Sequence, residues 1–208
     1  KVYVYFDGIY MESDVYINGT KVKSNKWYNP FCVEITDYLQ YDGEDILAVF
    51  VRNQQPSSRW YSGSGIIRNA YLVTANNIGI GINDIDITTP TLEADVKTNV
   101  ANTKIDIKIN STTTRIVNLV NEIYFNGSLV KSNTKEVVLS IGNNSVTDTI
   151  QINNPTLWDE YNGNLYTLKT YIKYGEDIYH YSETKYGYRY FKFDKDTGFW
   201  LKGKNLKL

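Results

Sequence analysis

Two Asn-Gly dipeptides, Asn18-Gly19 and Asn126-Gly127, each interrupt a stretch in which apolar and polar side chains alternate. The first joins Val15-Tyr16-Ile17 to Thr20-Lys21-Val22, the second Ile123-Tyr124-Phe125 to Ser128-Leu129-Val130. Asn and Gly both accept positive φ at little cost, so such a dipeptide folds one strand back on the next in a two-residue turn. Alternation with period two continues along most of the chain, and no dozen-residue window carries an apolar stripe at helical spacing. The chain is therefore expected to be all-β. Further strands are predicted at 45–53, 69–74, 80–87, 105–109, 115–125, 135–139, 145–152, 165–173 and 177–182.

The two hairpins lie about a hundred residues apart, which argues for two β units rather than one sheet. The break is placed at Ala75-Asn76-Asn77, where an extended run ends in turn-forming residues. Residues 1–75 supply about five strands, too few for a jelly roll of about eight, so this unit is expected to be partial and to expose a sheet edge near Val2 to Phe6. Pairing with a second copy through that edge is expected, hence a possible homo-oligomer. Residues 76–188 have the length and strand rhythm of an immunoglobulin-like β-sandwich. Residues 189–208 read as a hairpin leading into another domain.

Charge removes several functions. With 22 basic and 23 acidic side chains the net charge is -1, which provides no field for gathering nucleic acid or an anionic membrane. No apolar run approaches the roughly 20 residues of a membrane span. The 42% hydrophobic fraction and four prolines fit a packed globular chain and exclude a disordered one. The opening Lys1-Val2-Tyr3-Val4-Tyr5-Phe6 already has a strand pattern and no initiator Met, so the chain reads as a piece of a longer protein whose localisation is not legible here. Abundant Asn, Lys, Ile and Tyr match an AT-rich bacterial genome.

Cys32 is the sole cysteine and His180 the sole histidine, so an intramolecular disulfide and a Cys/His zinc site are both ruled out, and no metal or cofactor is expected. Each sits in strand-like alternation and is read as a core or sheet-face residue. Gly63-Ser64-Gly65 lacks the Gly and Lys of a phosphate loop. Sequons at Asn18, Asn110, Asn126 and Asn143 are read mostly as turn residues.

Five separated blocks, in order, resemble glycoside hydrolase family 2, the β-galactosidase, β-glucuronidase and β-mannosidase group. They are Phe6-Asp7-Gly8-Ile9-Tyr10-Met11 with Val15 to Gly19; Ile35-Thr36-Asp37-Tyr38-Leu39 with Gly43-Glu44 and Leu47-Ala48-Val49; and Ser58-Arg59-Trp60-Tyr61 running through Gly63-Ser64-Gly65-Ile66 to Arg68. Pro155-Thr156-Leu157-Trp158 with Leu165-Tyr166, and Gly187-Tyr188-Arg189 with Gly198 to Lys204, complete the set. Two positions depart from the family pattern, Asp45 and Lys202, both where Asn is usual.

The resemblance implies a partial sugar-binding jelly roll followed by the immunoglobulin-like sandwich, together the noncatalytic N-terminal part of a retaining exo-glycosidase, with β-galactosidase the favoured activity. The two glutamates that such an enzyme sets roughly 5 to 5.5 Å apart belong to a barrel expected beyond Leu208, so no catalytic residue is assigned in this chain. Asp84-Ile85-Asp86 and Glu176-Asp177, the nearest approach to paired carboxylates, are read as solvated. By resemblance Asn53, Ser58, Arg59, Trp60 and Tyr61 line the rim of the sugar site, where aromatic rings would stack on pyranose faces and the guanidinium would hydrogen-bond hydroxyls. Against this stands packing of Trp60 and Tyr61 beneath a long loop, with Arg59 and Arg68 on backbone carbonyls. The expected partners are a β-galactoside or related glycan, reached through the full-length enzyme, and the protein's own barrel. The other reading is a free-standing carbohydrate-binding or adhesin-type sandwich, prompted by 19 tyrosines and four tryptophans. Sheet-face packing explains the tyrosines equally well.

Overall fold

A computed structural model describes residues 1–54 and 63–207. The chain is all-β and divides into two compact units, Lys1–Ala75 and Asn76–Leu208. The only helical elements among the described residues are the four-residue Leu92–Asp95 and two single 3₁₀ turns.

In the first unit the strands are β1 (Val2–Phe6), β2 (Ile9–Tyr10), β3 (Glu12–Ile17), β4 (Thr20–Lys26), β5 (Phe31–Glu34), β6 (Leu47–Arg52), β7 (Gly65–Ile66) and β8 (Ala70–Thr74). Eight strands thus stand where about five were expected; two of the additional ones, β2 and β7, are two-residue bridges too short to leave a period in the sequence. They form an antiparallel β5-β1-β8 sheet, a β4-β3-β6 sheet and the small β2-β7 pair. Val4 and Phe6 of β1, Val15 and Ile17 of β3, and Val33 of β5 point inward and make the core between the two larger sheets. Burying each such side chain contributes about 1.5–3 kcal/mol over leaving it wet.

The expected open edge at Val2 to Phe6 is not there. β1 is the central strand of its sheet, paired on one side with β5 and on the other with β8.

Asn18 and Gly19 close the β3–β4 hairpin at φ 49° and 80°, the left-handed pair that a two-residue turn requires. The Asn18 side chain also donates to Asp45 Oδ1 at 2.7 Å and accepts from Ile46 N at 2.8 Å. Gln40 N donates to the same Asp45 oxygen at 2.9 Å and, with Asn18, holds the carboxyl below its ordinary range. Both donors meet one oxygen, an acceptor that Asp shares with the Asn usual in the family.

The second unit contains β9 (Ile78–Thr88), β10 (Val100–Ser111), β11 (Arg115–Phe125), β12 (Ser128–Leu139), β13 (Gly142–Asn153), β14 (Tyr166–Tyr174) and β15 (Asp177–Tyr186). A β13-β10-β9 sheet and a β12-β11-β14-β15 sheet enclose one core. Strict alternation fills it: Ala101, Ile105, Ile107 and Ile109 from β10 meet Val117, Leu119 and Ile123 from β11 and Leu168 and Ile172 from β14. Asn126 and Gly127 turn the β11–β12 hairpin at φ 50° and 79°.

Inside the same core lies a polar network. Asp148 of β13 accepts from Asn121 Nδ2 of β11 at 2.8 Å, from Asn133 Nδ2 of β12 at 2.7 Å and from Thr149 N at 2.9 Å. Thr170 of β14 donates to Asn121 Oδ1 at 2.8 Å. Satisfied donors and acceptors remove most of the penalty of burying them, and their fixed directions tie one sheet to the other in a single register.

The tail is a three-stranded meander rather than a hairpin: β16 (Phe191–Asp194), β17 (Gly198–Leu201) and β18 (Lys204–Leu206). Its second turn passes through Lys202 at φ 50° and Gly203 at φ 76°. Lys202, the other departure from the family pattern, therefore occupies the left-handed position that Asn tolerates better. It is anchored by an ion pair of 3.2 Å to Asp159.

Two of the recognised blocks, thirty residues apart, meet in this unit. Trp158 N donates to Tyr188 O at 2.9 Å, and Arg189 lies over the Trp158 ring at 5.1 Å. A Cβ on Gly187 would stand 3.2 Å from Trp158 Cβ and 3.3 Å from Asn164 O, so glycine gives the two segments a close approach that a larger residue would have to push apart.

Candidate functional site

The segment nominated by resemblance begins at Asn53, directly after β6. Ser58, Arg59, Trp60 and Tyr61 lie outside the described residues; Asn53 lies within them. The Asn53 side chain donates from Nδ2 to Gly63 O at 3.2 Å, so the residue that opens the segment also holds the point where it returns. Gly65 at φ 137° then enters β7, which pairs Ile66 with Ile9 and Gly65 with Tyr10 of β2. Ile67 N donates to Gly8 O at 3.1 Å and Asp7 N to Asn69 O at 2.9 Å, continuing the attachment.

Charged side chains gather at the same strand ends. Glu12 on β3 faces Lys26 of β4 and Arg52 of β6 in register, with ion pairs of 3.2 and 3.5 Å. Gln54 Nε2 donates to its second oxygen at 3.4 Å. Glu12, Asp14, Ser24, Lys26 and Arg52 border a recess of about 260 Å³. Its carboxylates are balanced: Lys21, at 2.7 Å, and Ser24 hold Asp14 below the ordinary range.

A second feature here was not read from the sequence. Trp27 and Tyr28 follow the end of β4, both exposed, and the Tyr28 ring lies 6.1 Å from that of Tyr10. Gly8 seats Arg68: a Cβ on Gly8 would lie 3.2 Å from Arg68 Cδ and 3.1 Å from Tyr28 O. A Trp-Tyr pair before Asn29-Pro30 looks like an ordinary strand end, and only the backbone angles mark it out.

Of the carboxylate pairs, Asp84 is half-buried, and Asp86, Glu176 and Asp177 are exposed. Asp84 and Asp86 alternate along β9, and Asp86 stands opposite Asp106 of β10. Lys104 and Thr147 hold Asp106 low. Glu176 follows Gly175 in a turn with φ 57°. Every carboxyl with a perturbed ionisation among the described residues is lowered by its donors, as at Glu34, Glu183 and Asp194. A glycosidase general acid needs the opposite shift.

Cys32 lies exposed on β5 in the first unit, and His180 lies on β15 in the second, where its Nδ1 accepts from Ile80 N at 3.4 Å. Burial holds the imidazole below its ordinary value. Asn18 and Asn126 sit in turns, whereas Asn110 and Asn143 are strand partners joined at 3.0 Å, a correction to the turn reading of those two sequons.

The described residues thus form two antiparallel β units, and every perturbed carboxyl among them is lowered. The family model for glycosyl hydrolases family 2 matches residues 81–189, just over half of the chain, and the chain belongs to that family. It is 34% identical over 207 residues to the β-galactosidase BoGH2A of Bacteroides ovatus, covering 98% of this chain and 24% of that protein. With a β-glucuronidase of Formosa agariphila it shares 28% identity over 230 residues, covering 100% of this chain and 23% of the relative. A solved glycosyl hydrolase family 2 member from Bacteroides cellulosilyticus superposes with a TM-score of 0.93 at 29% identity, covering 100% of this chain and 27% of that one. The chain spans about a quarter of the length of these relatives.

Proposed function

We propose that this chain is the noncatalytic N-terminal part of a larger retaining glycosidase that acts on β-galactosides or β-glucuronides. Residues 1–75 serve as a partial sugar-binding jelly roll, residues 76–188 as the immunoglobulin-like sandwich that buttresses a catalytic barrel, and residues 189–208 as the junction to it. The segment from Asn53 through Ser58, Arg59, Trp60 and Tyr61 shapes the rim of the sugar pocket.

One observation carries the reading: a match along the whole chain to relatives four times its length, one named a β-galactosidase and another a β-glucuronidase. The lowered carboxyl groups agree with it, since none of them is prepared to donate a proton to a leaving group. The test is to assay the 208-residue chain and the full-length product of the same gene with nitrophenyl β-galactoside and β-glucuronide. Turnover by the long form alone, on one of the two, is expected. Hydrolysis by the short chain would overturn the reading, and silence from both would shift it to a glycan-binding module.

A further inference from the structure

We propose that Trp27 is a carbohydrate-contacting residue, its indole forming a floor for a pyranose ring, with the Arg68 guanidinium as the donor to the sugar's hydroxyl rim. This rests on the reading of the chain as part of a glycan-processing enzyme, and extends it to a residue outside the 53–61 segment.

Trp27 has φ 64°, in the left-handed region. Glycine and asparagine accept that conformation, whereas for a bulky aromatic side chain it is an outlier. The backbone is pinned there from both sides: Trp27 N donates to Met11 O at 2.7 Å, and Asn25 Nδ2 donates to Trp27 O at 3.4 Å. Burial would normally justify so large a side chain, yet Trp27 is 54% exposed. Among the described residues its ring has no aromatic or cationic partner. A position suited to Gly or Asn is thus filled by the largest apolar side chain, with little packing in return. Strain that the fold does not use is a signature of a ligand-contacting residue.

The surroundings supply the rest of a sugar site. Tyr28, next in sequence, is exposed, and its carbonyl packs on Gly8 together with the Arg68 stem. Among the described residues the exposed Arg68 guanidinium pairs with no carboxylate. A pyranose presents a C–H face that stacks on an indole and a rim of hydroxyls that a guanidinium fork can donate to; a uronate adds a carboxylate matched to the same fork.

The Trp27→Gly variant of the 208-residue chain separates function from packing, because glycine relieves the backbone at φ 64° while deleting the ring. Indole N–H resonances would be followed by NMR during titration with methyl β-galactoside and methyl β-glucuronide, the Trp27 signal being the one absent from the variant. The expected result is a saturable shift of that signal with one glycoside, at least a tenfold loss of affinity in Trp27→Gly, and a melting temperature unchanged or raised. If resonances near Asn53 and Gly65 move while the Trp27 indole stays still, the sugar site stands and the role of Trp27 falls. A lower melting temperature with unchanged affinity would make Trp27 a packing residue. No shift anywhere, with either glycoside, would overturn this proposal and weaken the glycan-site reading beneath it.

Discussion

The Tyr188 hydroxyl lies 2.6 Å from Thr103 Oγ1, and both residues are completely buried. Tyr188 belongs to the recognised Gly187-Tyr188-Arg189 block, whereas Thr103 interrupts the apolar alternation of β10. A second bond of 3.0 Å joins Tyr188 to Tyr186, and burial pushes both phenols above the ordinary range. Tyr188→Phe leaves the Thr103 hydroxyl without its partner and is expected to cost about 1–3 kcal/mol in urea unfolding. Thr103→Val placed in the Tyr188→Phe background should cost less than in the native chain, because the group it removes is already orphaned. Additive costs would show that the two hydroxyls do not depend on each other.

Asp148 receives donors from three directions, so the isosteric Asp148→Asn must turn an NH₂ toward one of them. A loss of about 1–3 kcal/mol is expected, with an unchanged denaturant slope. A variant as stable as the native chain would mean that the polar knot in the core does not hold the two sheets in register.

Acid should act in two stages. His180 is neutral in the folded chain below the point at which it charges in the unfolded one, so the unfolded state binds the extra proton first. Stability is therefore complete above the ordinary value of 6.5 and falls as pH drops below it, levelling out once the folded imidazole also protonates. The lowered carboxyls act later: their contribution is present above the ordinary values of 3.8 and 4.5 and is lost as pH falls through the folded values. His180→Asn retains an acceptor for Ile80 N and cannot titrate. Melting curves should lose the first stage in this variant and keep the second; an unaltered first stage would assign it to other groups.

Gly127→Ala should cost about 1 kcal/mol, because φ 79° forces a Cβ into the left-handed region although nothing lies within 4 Å of it. Gly163→Ala is the control: its Cβ would meet only Trp158 Nε1 at an ordinary 3.7 Å. Equal melting temperatures for the two variants would contradict the turn assignment.

Alternating strands and both Asn-Gly hairpins were legible because turn chemistry and core burial act on the same residues. Strand limits were less so, each for a local reason. β10 begins at Val100, earlier than predicted, because Thr103 is buried through hydrogen bonds that look polar in a sequence. β12 runs unbroken from Ser128 to Leu139, joining the hairpin strand at 128–130 to the one predicted at 135–139, because it is an edge strand exposed along most of its length and no period marks its middle. In the candidate site, Asn53 was legible only through resemblance. Trp27 was invisible because a demand for positive φ leaves no trace when the residue that meets it is neither Gly nor Asn.

The twelve-residue ladder between β10 and β13 encloses the entire β11–β12 hairpin in sequence. Until that hairpin closes, the ends of the longer ladder are held apart by a flexible chain whose closure carries an entropic penalty. Folding of the second unit should accordingly proceed from the Asn126-Gly127 turn outward, with amides of β11 and β12 protected in pulse-labelled hydrogen exchange before those of β10 and β13. A ribosome that has delivered β10 must still complete β13 before that strand finds its partner, so the nascent unit is most exposed to misassembly during synthesis of the residues between them.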